Sequence, residues 1–178
     1  MMIKRAVVAL DGSKHAGRAL DLACEVASRL GVELVAVHVI SDQPLSAAER
    51  EMAKVEFQDE IARGFNLAPP LDARSDLRLT DQRLAEHAAV TGRRFRLALG
   101  ERLVGGAARH AEAQGVRNLR TVLREGDPAA AILEVAKQEG ADLIVMGRRG
   151  LGDLAGLLLG SVTHKVTHLA DCACLTVK

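Results

Sequence analysis

Hydrophobic and polar positions along this chain switch between a period of about two and a period of about 3.6, and the switches predict alternating strands and helices. Residues 3–10 (IKRAVVAL) are apolar and β-branched enough for a buried strand. Asp11-Gly12-Ser13 makes a turn, and Ala16, Leu20, Ala23, Ala27 and Leu30 then recur at helical spacing. Gly31 is placed to end that helix. Residues 33–40 (ELVAVHVI) predict a second strand. Strand, helix and strand in this order form a βαβ unit, which implies parallel pairing and a right-handed crossover.

The C-terminal half repeats the rhythm. Leu119 to Arg124 alternates as a strand. Asp127 and Pro128 supply an N-cap and a first-turn proline, and Ile132, Val135 and Ala136 carry a helix to Gly140. Asp142 to Met146 (DLIVM) is a short apolar strand expected to be buried on both faces. Ser161 opens a last helix, where it is an ordinary N-cap, and Ala173 to Val177 closes the chain as a strand at the sheet's edge. Five strands alternating with helices predict an α/β fold: a doubly wound, open, five-stranded parallel sheet.

The middle departs from this rhythm. Ser46 to Arg63 has a helical pattern, with Ser46-Ala47-Ala48-Glu49 as a capping box. Asn66 to Asp81, with Pro69-Pro70, predicts an exposed loop. Asp81 to Gln114 is helical again, but Gly92, Gly100 and Gly105-Gly106 each cost ~1 kcal/mol relative to Ala, so kinks or a break are expected. One helix suffices as a crossover. The surplus predicts a helical insertion after the second strand, at 41–80, within a single domain of 1–178.

Composition narrows the partners. The chain has 178 residues and a formal net charge of +1, which gives no electrostatic reason to expect nucleic acid or an anionic membrane. With three Phe and neither Trp nor Tyr it lacks the stacking platforms of single-strand binders. No apolar run is long enough to span a bilayer, and the N-terminus has the pattern of a strand rather than a signal peptide. Cys24, Cys172 and Cys174 are odd in number and form no disulfide framework, which favours a reducing cytoplasm.

The chemistry concentrates in MGRRGLGDLAGLLLGSVTHKV, from Met146 onward. The strand ending at Met146 releases the chain at the sheet's carboxyl edge, where open α/β folds bind ligands. Gly147 and Gly150 permit a sharp turn and close backbone approach. Gly160 and Ser161 then begin a helix whose free N–H groups and dipole favour an anion, and the Ser161 hydroxyl can donate to a phosphate oxygen. Any βα connection can carry glycines, so the pattern alone supports an anion without naming it.

Gly147-x2-Gly150-x9-Gly160-Ser161 resembles the signature of the ATP-binding branch of the universal stress protein family. Residues 7–13 (VVALDGS) look like that family's first strand and turn, and Val37-His38-Val39 is similar to the end of its second strand. Residues 125–128 (EGDP) and 142–147 (DLIVMG) resemble its third junction and fourth strand. The stretch from about Ser41 to Val116 carries no motif of the family. The resemblance implies an adenine nucleotide α-hydrolase-like fold. It implies that Asp11 bonds the ribose, that the backbone at Val39 meets the adenine edge, and that Gly147 and Gly150 cradle the ribose and phosphates, with Met146 also among the nucleotide-binding residues. Gly160, Ser161 and Val162 would present amides to the phosphate tail, with Thr163 adding a hydroxyl. ATP with Mg²⁺ is the implied ligand, the metal held by phosphates and water. A homodimer through the last strand and an unidentified protein partner are implied as well. Cys172-Ala173-Cys174 and Arg148-Arg149 depart from the family's pattern; the arginines either reach a phosphate or are solvated.

Other signals carry blander readings. Asp11 can simply cap the following helix. His38 fits a packed strand histidine. Residues 150–155 (GLGDLA) match a dinucleotide fingerprint in form, but the helix starts too late and no acid follows on the next strand. No Gly-Lys-Ser/Thr marks a Walker A loop. His164, His168, Cys172 and Cys174 put four soft ligands within eleven residues, yet buried cysteines and surface histidines account for them. No catalytic nucleophile–base set is apparent, so any ATP hydrolysis should be slow. Two alternatives stand: a relative of this fold that binds partners without nucleotide, and an ATP-consuming hydrolase or transferase using Glu49, Glu51, Asp59 or Glu60 of the insertion.

Overall fold

The computed structural model describes residues 3–41, 81–151 and 159–178. Its elements run β1 (Arg5–Leu10), α1 (Lys14–Leu30), β2 (Glu33–Ile40), α2 (Asp81–Ala113), β3 (Leu119–Glu125), α3 (Pro128–Glu139), β4 (Leu143–Gly147), α4 (Ser161–Leu169) and β5 (Ala173–Val177). The expected helix at 46–63 with its capping box, the loop to residue 80 and the four insertion carboxylates lie outside the described residues. Residues 152–158, which include the end of the dinucleotide-like stretch, do so too. The chain divides into two compact units, one of Met1–Asp42 with Gly100–Lys178 and the other of Gln43–Leu99. The sheet belongs wholly to the first.

All strand pairs are parallel, in the order β3-β2-β1-β4-β5. The sheet is therefore doubly wound, and the direction of winding reverses between β1 and β4. Alternating side chains of the inner strands feed two cores. Ala6, Val8, Leu10, Leu34, Ala36, Leu143 and Val145 pack with α1 and with Ala107 and Ala111 of α2. Val7, Val35, Val37, Ile144 and Met146 pack with α3 and with Val166 of α4. Every residue of β4 is buried, as its unbroken apolar run predicts.

The helix ends follow local chemistry. The Ser13 hydroxyl caps α1 by accepting from Ala16 N at 3.1 Å, and Asp127 caps α3 by accepting from Ala130 N at 2.9 Å. Gly31 and Gly140 close these helices at φ of 69° and 60°, the left-handed region that a Cβ disfavours. Leu30, expected on the apolar stripe, is instead 68% exposed, because the last turn of α1 carries it past the buried face.

The break expected between Asp81 and Gln114 does not occur. The helix is continuous from Asp81 to Ala113. Gly100 sits in it for proximity: a Cβ there would lie 2.8 Å from His38 Cδ2 and 3.0 Å from Leu123 Cδ2. Its propensity cost is offset by letting the helix backbone approach the sheet.

Candidate functional site

β1, β2 and β4 all release the chain at the same edge, with Leu10 paired to His38 and Ala9 paired to Met146. Asp11, Val39 and Gly147 therefore share the carboxyl edge, two of them flanking the reversal point where such sheets bind ligands. Met146 is buried in the second core, and Val39 is half-buried against it.

Asp11 does not cap α1; Ser13 does. One Asp11 oxygen accepts from Ser13 N at 2.9 Å and holds the turn. The other is directed at the β4 loop, since a Cβ on Gly150 would lie 2.5 Å from Asp11 Oδ2. Gly147 is equally hemmed in, because its Cβ would meet Ala16 N and the His15 backbone at 2.8 Å. These two glycines let the loop close onto the first turn of α1. Ser13 fastens the contact by donating to the Arg149 carbonyl at 3.4 Å. Sequence reasoning treated Ser13 only as part of a turn. The signal that it matters was its place three residues before Ala16, the N-cap position for α1.

The other end of the motif folds back on the same loop. Gly160 N donates to the Arg148 carbonyl at 2.9 Å, and Arg148 N donates to the Val177 carbonyl at 2.7 Å. Gly160, not Ser161, is the N-cap of α4, so Ser161 is the first helical residue. The cap makes no side-chain hydrogen bond, unlike those of α1 and α3. The amides of Ser161, Val162 and Thr163 have no acceptor within the helix by geometry. Ser161 is exposed and Val162 half-buried. Thr163 is 5% exposed, and its hydroxyl donates to the Gly147 carbonyl at 2.9 Å. That hydroxyl ties α4 to the end of β4.

Around this edge, Arg148 and Arg149 are half-buried rather than freely solvated. His38 is the packed histidine its strand position predicts, its Nδ1 2.8 Å from the Leu10 carbonyl. Cys24 is fully buried, and burial, helped by Asp21, pushes its thiol up to about 11. Cys172 and Cys174 are half-buried against the second core, and desolvation raises both thiols. All three cysteines are protonated at neutral pH and poor nucleophiles. Among the described residues no helix is long and apolar enough to cross a membrane.

The model of the universal stress protein family matches residues 2–178. The chain belongs to that family. A universal stress protein of Thermus aquaticus, encoded in the 3′ region of a QAH/OAS sulfhydrylase, is 33% identical over 177 residues, covering 99% of this chain and all of the relative. Among solved structures, a universal stress protein in complex with cAMP aligns over all of this chain and 99% of its own, with a TM-score of 0.59 and 24% identity. That of Archaeoglobus fulgidus in complex with dAMP covers both chains completely, at a TM-score of 0.56 and 20% identity. The architecture of this universal stress protein is thus that of its family.

Proposed function

We propose that this universal stress protein binds ATP with Mg²⁺ at the edge between β1 and β4 and serves as a cytoplasmic regulatory protein. The observation that carries the reading is the convergence of the Asp11 carboxylate and the uncapped first turn of α4 on one glycine-tight loop. The two ends suit different parts of a nucleotide. A carboxylate accepts hydrogen bonds from ribose hydroxyls and repels phosphates, whereas the α4 amides and dipole favour phosphates. The related structures with cAMP and dAMP support an adenine nucleotide as the class of ligand. Magnesium would be held by phosphate oxygens and water, since no cluster of three metal-ligating side chains exists among the described residues. Nucleotide binding would then favour one arrangement of the loop after β4, which a protein partner senses.

The test is calorimetric titration with Mg-ATP of the parent chain and of Asp11→Ala. Losing hydrogen bonds to a charged group costs about 1.5–3 kcal/mol, so affinity should fall roughly tenfold or more. Equal affinity in the two proteins would remove Asp11 from the site. Gly160→Val is a poorer probe, because a Cβ there already lies 3.4 Å from Arg149 Cα and would disturb the loop itself.

The sheet's two edges differ. β3 carries Arg120, Arg124 and Glu125 exposed, whereas β5 (ACLTV) has no charge and exposes Leu175. Charge protects one edge and leaves the other open to pairing, which supports a homodimer through β5.

A further inference from the structure

We infer that His164 and His168 form a chelating site for a borderline transition-metal ion, Zn²⁺, Cu²⁺ or Ni²⁺, on the outer face of α4. The two residues are four apart, the spacing at which a helix presents two imidazoles to one ion. Both are exposed. Their ring centroids are 6.3 Å apart with planes within 6° of parallel, so the rings are neighbours that must rotate to aim a nitrogen each at one ion.

The surroundings leave the pair available. His110 has a carboxylate oxygen of Asp21 2.7 Å from its Nε2, but no ion pair joins His164 or His168 to a carboxylate among the described residues. Lys165, between them in sequence, lies 3.9 Å from Asp127, so its charge is partnered elsewhere. The helix itself is a fixed platform, with Val166 fully buried and the Thr163 hydroxyl bonded to Gly147. The backbone positions of the two histidines are therefore set before an ion binds, leaving only their side-chain torsions to order.

Donor chemistry selects the ion. Neutral imidazole suits zinc, copper and nickel, while Mg²⁺ and Ca²⁺ require oxygen ligands. Cys172 and Cys174 do not complete a four-ligand set: they pack against the second core, and no group of three metal-ligating residues occurs among the described residues. Water fills the remaining positions, which makes the site open and exchangeable rather than structural.

The experiment is calorimetric titration of the full chain with ZnCl2 near pH 7.5 and excess Mg²⁺, without nucleotide, alongside thermal melts. One saturable ion per chain, a melting temperature raised by zinc and reversal by EDTA are expected. His164→Gln and His168→Gln should each weaken binding by at least about tenfold, the loss that even an outer-shell partner of a metal ligand brings. The double variant should abolish binding, and Cys172→Ser/Cys174→Ser should retain it. Both histidines are exposed, so the metal-free variants should melt like the parent. No saturable binding, binding that survives the double histidine variant, or binding lost only with the cysteines would each overturn the site.

Discussion

Asp142 accepts two backbone N–H groups, from Lys4 at 2.8 Å and Arg5 at 3.1 Å, and so joins the start of β1 to the start of β4. Those bonds hold its carboxyl below the usual carboxylate range, against a smaller opposing effect of desolvation. A depressed folded-state pKa stabilises the fold above the unfolded value, about 3.9, and that contribution is lost as pH falls through the folded value. The stability difference between the parent and Asp142→Asn, followed by urea unfolding, should therefore shrink as pH drops below about 4. A difference constant from pH 6 to pH 3 would contradict this. The same scale shows where sequence reasoning reached its limit. Asp11 was legible as a residue of the sheet's carboxyl edge from its place after an apolar run. Its division of labour, one oxygen for the turn and one for the β4 loop, depends on a contact with Gly150 far along the chain. Thr163 was legible as a hydroxyl near the motif. Only the packing shows that this hydroxyl is bonded to Gly147.

At the scale of elements, the strands were legible because burial on two faces leaves an apolar run that few other structures require, as in β4. Helix α2 was legible too, but not its continuity, because its glycines were weighed by propensity alone. The structure separates them. Gly100 faces His38 and Leu123, whereas a Cβ on Gly106 would have nothing within 4 Å. Gly106→Ala should stabilise the fold by roughly 1 kcal/mol, the ordinary helix-propensity gain. Gly100→Ala makes the same propensity gain but forces the tethered His38 ring aside, and overpacking of this kind costs about 1–3 kcal/mol. Chemical denaturation of the two variants should give shifts of opposite sign. Equal stabilisation by both would show that the close approach at Gly100 has no energetic weight.

At the scale of the whole molecule, the two sheet edges make a prediction about assembly. Leu175→Lys places a charge on the uncharged β5 edge and should shift sedimentation equilibrium toward monomer. An unchanged mass distribution would exclude that edge as the interface. The α/β class follows from alternating strands and helices with no special residue, which is why it could be read early, whereas the order β3-β2-β1-β4-β5 comes from the structure. The ligand could not be read in the same way. Elementary electrostatics favours an anion at the start of α4, but the proposal of adenine at Val39 and ribose at Asp11 has no spacing rule behind it. The central claim is that this edge holds an adenine nucleotide. Its most direct test is mass spectrometry of small molecules released from freshly purified protein. The account predicts an adenine nucleotide, with ATP foremost, at a stoichiometry that falls in Asp11→Ala. Protein that releases no nucleotide, and gains none on incubation with Mg-ATP, would contradict it.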